Sequence, residues 1–328
     1  HINVLVENAK VALKEYLKPE FTQEKIDYIV RKASVAALDK HGELAAMAVE
    51  ETQRGVFEDK ATKNMFACEH VTHEMRHART VGVINNDPLY GITEIAEPVG
   101  VVCGVTPVTN PTSTAIFKSL IAIKTRNPIV FSFHPNSIKC SIAAATIVRD
   151  AAIAAGAPAN CIQWIEFGGI KASELLMHHP GVSCILATGG NAMVRAAYSC
   201  GKPALGVGAG NVPSYVEKTC NLKQAINDIV MSKSFDNGMI CASEQAAIID
   251  AEIYDAAIEE FLSLGVYKAT PEEKEKLELF MFRIQPGGDK TKGSLNPIVP
   301  GKSAFWIAQQ AGFKVPEDTN IIIAECAE

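Results

Sequence analysis

The sequence is poor in the features that mark a chain for a membrane, a nucleic acid or an oxidising compartment. No apolar run approaches the about 18 residues needed to cross a bilayer, and His1-Ile2-Asn3-Val4 lacks the basic-then-apolar order of a signal peptide. Lys and Arg number 31 against 37 Asp and Glu, a net charge of −6 with the signs interspersed. Without a basic stripe, nucleic acid and anionic membrane are poor partners. The nine cysteines, at 68, 103, 140, 161, 184, 200, 220, 241 and 326, are odd in number and scattered, and they include no Cys-x-x-Cys pair. That argues against both a disulfide framework and a zinc ribbon. The thiols are expected to be reduced and the setting cytoplasmic. What remains is 328 residues, 48% apolar and 21% charged, enough for about two domains each with its own core.

Residues 3–79 read as helices. Val4, Leu5, Ala12, Leu13, Tyr16 and Leu17 form one stripe, and Ile26, Ile29, Val30, Ala33 and Ala37 a second, with Thr22 as its N-cap. A longer, more polar helix is expected from Glu58 to His77. Its run His73-Glu74-Met75-Arg76-His77 fits His-Glu-x-x-His, in which two histidines one turn apart bind zinc and the glutamate activates water. A zinc hydrolase is opposed by the cation Arg76 beside the proposed metal, by a helix polar all round, and by the lack of a third ligand. A solvated helix face is the plainer reading. Val81–Ile84 and Leu89–Ile95 flank the turn cluster Asn85-Asn86-Asp87-Pro88, so a hairpin is expected there, packing on another domain or subunit.

From Val99 short apolar runs alternate with helices, which implies a parallel sheet covered on both faces. Strands are expected at 99–105, 129–133, 161–165, 184–187 and 204–207. Ligands of such sheets bind beyond the carboxyl ends of the strands. Those ends carry Thr106-Pro107-Val108-Thr109-Asn110-Pro111, His134-Pro135, Thr188-Gly189-Gly190 and Gly206-Val207-Gly208-Ala209-Gly210-Asn211. The usual Gly-x-Gly-x-x-Gly fingerprint is absent after the first strand. Gly189-Gly190 before a helix still offers bare backbone N–H groups to a pyrophosphate. The glycines at 206–210 exceed what a turn requires, which points to close backbone approach to something flat or bulky.

Ser232–Gln245 is the stretch on which the rest depends. A helix ends there, Asn237-Gly238 accepts positive φ, and Ala246–Ile249 reads as a buried strand, so Cys241 sits at a bend between two rigid elements. The small Ala242 and Ser243 leave room at its sulfur. A thiol of pKa about 8.5 needs only a modest positive environment to act as a nucleophile.

Taken together, Thr106–Thr114, Ala187-Thr188-Gly189-Gly190, Gly206–Asn211 and Phe235–Gln245 resemble the CoA-acylating aldehyde dehydrogenases, above all the N-terminal half of the bifunctional aldehyde-alcohol dehydrogenases. The resemblance runs from the first helices to the last strand. It implies an α/β, aldehyde-dehydrogenase-like fold: a parallel Rossmann-like sheet with helices on both faces, a second α/β catalytic domain and a β-hairpin oligomerisation element. The implied division is N-terminal helices at 1–80, the hairpin at 81–98, a nicotinamide-cofactor domain at 99–233 and a catalytic domain at 234–328.

The resemblance also implies roles. The Cys241 thiolate attacks an aldehyde carbonyl, and the Cys241 backbone N–H and the Asn110 amide steady the oxyanion. Hydride passes to NAD⁺ held by Val105, Thr106, Pro107, Val108, Thr109, Asn110, Gly190 and Gly208, and the acyl group passes from sulfur to coenzyme A. No metal is implied. Hydrolytic relatives carry a water-activating Glu where this chain reads Gly206–Asn211, so transfer to a thiol is expected rather than hydrolysis. Two departures qualify this. The chain stops at Glu328, before the family segments that bear a Glu on the nicotinamide ribose and a His near the thiol, so the 328 residues are expected to form an incomplete catalytic domain with little activity. His134-Pro135 replaces the Lys-Pro that hydrolytic relatives place near the adenosine ribose, so NAD over NADP rests on resemblance. A structural rival is a subunit of a helical filament.

Overall fold

The alternation after Val99 becomes a five-stranded, wholly parallel sheet. The computed structural model describes residues 1–167 and 169–326, in two compact units: His1–Gln53 with Phe57–Ala209, and Arg54–Val56 with the chain from Gly210 onward. The first unit begins with α1 (Ile2–Tyr16), α2 (Gln23–Leu38), α3 (His41–Thr52), α4 (Phe57–Cys68) and α5 (His70–Met75). An antiparallel hairpin follows, β1 (Gly82–Asp87) and β2 (Ile92–Ala96). Then come β3 (Val101–Val105), α6 (Pro111–Lys124), β4 (Ile129–Ser132), α7 (Ile138–Ala154), β5 (Ile162–Trp164), α8 (Ile170–His178), β6 (Val182–Thr188), α9 (Asn191–Ser199) and β7 (Ala204–Val207).

The spatial order is β5-β4-β3-β6-β7. The first strand in sequence is therefore central, and the direction of winding reverses between β3 and β6, the place where such sheets bind ligands. Period-two alternation splits the strand residues between two cores. Val102, Ile129 and Phe131 join α2, α6 and α7 on one face. Val101, Cys103, Val105 and Val130 join α1, α8 and α9 on the other. The N-terminus of α7 is closed by Glu51, whose carboxylate accepts from the N–H groups of Lys139 at 2.9 Å and Cys140 at 2.8 Å, as a helix start favours.

The second unit holds β8 (Pro213–Val216), α10 (Leu222–Ser234), β9 (Ala246–Ile249), α11 (Tyr254–Ser263), β10 (Val266–Lys268), α12 (Pro271–Met281), α13 (Ala304–Ala311) and β11 (Ile321–Ile323). β8 pairs with β9 and β10 with β11, both parallel. Its α12 opens on a capping box between Thr270 and Glu273. The expected division at 233/234 falls inside this unit, because Ile226 and Val230 of α10 share one core with Ala257 and Phe261 of α11.

Three local expectations are corrected. The hairpin turns at Pro88–Gly91, not Asn85–Pro88: Asn85 and Asn86 pair with Glu94 and Thr93, and Asp87 Oδ1 accepts from the N–H groups of Leu89 and Tyr90. Gly91 supplies the positive φ of 66°. The helix expected from Glu58 to His77 breaks at Glu69 into α4 and α5. The strand β9, expected to be buried, is mostly exposed, since a two-stranded ribbon cannot enclose both its faces.

Candidate active site

Cys241 stands in the second unit at the corner of a turn. The Ser243 N–H donates to the Ile240 carbonyl at 3.1 Å and the Ser243 hydroxyl donates to the same oxygen at 2.8 Å, so the buried Ser243 fixes the turn and pushes Cys241 outward. The thiol is exposed. The Cys241 backbone N–H, at the second position of that turn, has no acceptor among the described residues.

What holds the turn is upstream. Asp236, Asn237 and Gly238 take φ of 51°, 51° and 72° in succession, a left-handed run that only residues of these types tolerate cheaply. The fully buried Asp236 carboxylate accepts from the Val56 N–H at 2.8 Å, and Asn237 Nδ2 donates to the Gly301 carbonyl at 3.1 Å. Gly55 N–H donates to the same Gly301 oxygen at 2.9 Å. Asp236 was not singled out from the sequence; the signal was three consecutive residues, Asp-Asn-Gly, that all accept positive φ.

In the first unit, Thr106–Asn110 leaves the carboxyl end of β3, and Gly189-Gly190 the end of β6, on either side of the winding reversal. Lys118 of α6 lies between them, donating to the carbonyls of Val105 and Leu186, both at 2.7 Å. Burial drives its pKa down to about 7. Nothing stands within 4 Å of a Cβ added at Gly190, the residue before α9, so the bare start of that helix faces open space, which suits a phosphate.

The glycine cluster at 206–210 does meet close neighbours, and they belong to the protein. A Cβ at Gly206 would lie 2.7 Å from both Tyr198 and Val194, one at Gly208 would lie 2.8 Å from Asn191 Oδ1, and one at Gly210 would strike the backbone of Cys241. No carboxylate lies in Gly206–Asn211.

The segment after β3 is gripped by a helix that sequence reading passed over as solvated. Lys60 Nζ of α4 donates to the Thr109 carbonyl at 3.0 Å and Lys63 Nζ to Asn110 Oδ1 at 2.7 Å, while Thr112 donates to Asn64 Oδ1 at 2.8 Å. The signal for it was the spacing 60, 63, 64 and 67, one face of a helix.

The His-Glu-x-x-His reading fails on geometry. α5 ends at Met75, so His77 lies outside the helix that should pair it with His73, and its Nε2 accepts from Arg76 Nε at 2.8 Å. Among the described residues no group of three or more His, Cys, Asp or Glu could hold a metal ion.

The profile of the aldehyde dehydrogenase family matches residues 1–266. The chain belongs to the aldehyde dehydrogenase family. It is 77% identical over 329 residues to aldehyde-alcohol dehydrogenase 2 of Entamoeba histolytica, covering 100% of this chain and 38% of that protein. The chain thus spans well under half the length of that relative. An acetylating aldehyde dehydrogenase from Geobacillus thermoglucosidasius superposes with a TM-score of 0.93 at 45% identity, covering 100% of this chain and 70% of that one. A Rhodopseudomonas palustris propionaldehyde dehydrogenase, solved with bound CoA and an acylated cysteine, gives 0.85 at 31% identity, covering 99% and 72%. The fold is therefore that of the acetylating aldehyde dehydrogenases, as the motifs implied.

Proposed function

We propose that this aldehyde dehydrogenase chain interconverts an aldehyde, acetaldehyde first among them, and its acyl-CoA, through a thioester on Cys241. The observation that carries this is the presentation of Cys241: an exposed thiol on a turn corner, its own N–H without an acceptor, locked from behind by a buried Asp236. The thiolate adds to the aldehyde carbon, forming a C–S bond and an oxyanion. The Cys241 N–H and the Asn110 Nδ2–H are the donors that stabilise this charge, each worth about 3 kcal/mol in the transition state. NAD⁺, when bound, supplies the acceptor for the hydride that leaves that carbon. Val105, Thr106, Pro107, Val108, Thr109, Asn110, Gly190 and Gly208 are its proposed contacts, a reading supported by the open space at Gly190.

The oxyanion then collapses to a thioester. The CoA thiol attacks it, the C–S bond to Cys241 breaks, and acyl-CoA leaves while the CoA thiol proton passes to solvent. With no carboxylate in Gly206–Asn211 to deprotonate water, the thiol is the better nucleophile. This reading leaves no need for a purely structural, filament-forming role. Acetaldehyde and NAD⁺ with and without CoA, given to the native enzyme and to its Cys241→Ala variant, test it. CoA-dependent NADH formation abolished by the substitution is the expected result, and activity retained in Cys241→Ala sinks the assignment.

The hairpin is proposed as the element of self-association, since it presents Leu89, Tyr90, Ile92 and Ile95 to solvent. Tyr90→Asp with Ile92→Asp is expected to lower the mass measured by light scattering, and an unchanged mass rules the hairpin out. A cytoplasmic setting is proposed from the nine free cysteines. No described helix is long and apolar enough to cross a membrane.

A further inference from the structure

Lysine and asparagine on a helix ordinarily face water, yet α4 turns Lys60, Lys63 and Asn64 toward the protein. Lys60 is 2% exposed and Asn64 wholly buried, with Asn64 Nδ2 donating to the His41 carbonyl at 2.9 Å. Lys60 donates to the Thr109 carbonyl, Lys63 to the Asn110 side chain, and Asn64 Oδ1 accepts from the Thr112 hydroxyl, so the segment is held on both sides of Asn110. Packing of the hydrocarbon stem does not account for the Lys63 contact, which is made by the ammonium to a side-chain oxygen. Lys63 Nζ reaches the Oδ1 of Asn110 at 2.7 Å.

The two ends of an asparagine amide are nearly alike in shape, and only hydrogen bonding decides which way the group points. An ammonium has three donors and no acceptor. Lys63 therefore forces the oxygen toward α4 and the Nδ2–H groups away from it. One of those N–H groups has a long 3.4 Å contact to Thr109 Oγ1. A cation on the amide oxygen also withdraws electron density from the amide nitrogen, and chained hydrogen bonds of this kind strengthen one another.

We infer that Lys63 is a positioning residue for the reaction: it sets the orientation of the Asn110 amide and sharpens its Nδ2–H as a donor to the substrate oxygen. The inference rests on the reading of Asn110 as an oxyanion donor. Lys60 acts on the Thr109 carbonyl and Asn64 on the Thr112 hydroxyl, whereas Lys63 acts on the donor group itself.

The test is steady-state kinetics of the native enzyme with acetaldehyde, NAD⁺ and CoA, for Asn110→Ala, Lys63→Met, Lys63→Arg and the double variant Asn110→Ala/Lys63→Met. Asn110→Ala is expected to lower kcat by about 10²–10³-fold, as loss of one oxyanion donor does. Lys63→Met is expected to lower kcat by about 10-fold or more with the KM for NAD⁺ nearly unchanged, the pattern of an interaction made in the transition state. Lys63→Arg, which keeps a cation and a donor, is expected to restore most of it. The double variant is expected to be no slower than Asn110→Ala alone. A Lys63→Met enzyme at wild-type kcat overturns the inference. So does one that loses the same factor in the Asn110→Ala background, or one that fails to fold. An Asn110→Ala enzyme at wild-type kcat removes the reading of Asn110 itself, and the inference with it.

Discussion

A Cβ on Gly210 would collide with the carbonyl oxygen of Cys241. The contact is with backbone, so no rotamer change relieves it, and the Cys241 peptide must move if Gly210 gains a side chain. Gly210→Ala is expected to cost about 1–3 kcal/mol by overpacking. Displacing the thiol by about an ångström is expected to lower kcat by up to roughly 10²-fold. Thermal denaturation and initial rates with acetaldehyde, NAD⁺ and CoA check the two effects separately; a fully active, equally stable variant contradicts the contact.

Exposure separates the cysteines. Cys241 and Cys326 are exposed, whereas Cys68, Cys103, Cys140 and Cys161 are buried, and burial pushes Cys68 and Cys103 up to about 12 and Cys161 to about 11. Brief iodoacetamide treatment is expected to label Cys241 and Cys326 ahead of the buried four, read by peptide mass spectrometry. Cys326→Ser is expected to be inactivated at the wild-type rate. Protection of activity by that substitution would move the chemistry to Cys326.

Asp236 combines a buried acceptor with a left-handed backbone. Asp236→Ala leaves the Val56 N–H without its partner, about 1–3 kcal/mol, and places alanine at positive φ, roughly 1 kcal/mol more. Asp236→Asn keeps an oxygen acceptor and the tolerance of positive φ, so its loss is expected to be the smaller. Urea denaturation of the two variants ranks them, and equal midpoints would be inconsistent with the bond to Val56.

Lys118 links stability to pH. Its folded pKa of about 7 lies below the ordinary lysine value because burial disfavours the ammonium. The unfolded chain therefore binds more protons between about pH 7 and pH 10.4. The stability this group contributes rises with pH across that window and is lost as pH falls to about 7. Lys118→Met abolishes the titration. Wild-type unfolding free energy minus that of the variant is expected to grow from about pH 7.5 to pH 9.5, at up to about 1.4 kcal/mol per pH unit. The raised thiols of Cys68 and Cys161 act in the opposite sense, with stability lost as pH rises, and they cancel in the difference. A flat difference would mean Lys118 is charged in the fold.

The parallel sheet was legible because its strands are continuous apolar runs bounded by glycine, proline and helices. Ile129–Ser132 and Ala204–Val207 could be read almost to the residue. The strands β8 and β10 went unread: one begins at Pro213 and the other has three residues, too short for a period to appear. Helix α4 was legible as a helix but not as a support for Thr109–Thr112, because periodicity marks where apolar side chains gather and is blind to polar ones buried against backbone. Cys241 stood out through its turn chemistry. The glycines of 206–210 do mark close approach, but of the protein's own side chains Tyr198, Val194 and Asn191, and at Gly210 of the Cys241 backbone.

The central place of β3 matters before the protein is finished. Its partner on one side, β4, follows within one helix, but β6, on the other, begins only at Val182. While the ribosome makes the intervening segment, a Val-Val-Cys-Gly-Val edge stays unpaired, and open apolar edges recruit other chains. Slow translation between Val105 and Val182 would lengthen that exposure, which makes this stretch the one where synonymous codon choice and chaperone supply should most strongly govern the yield of soluble enzyme.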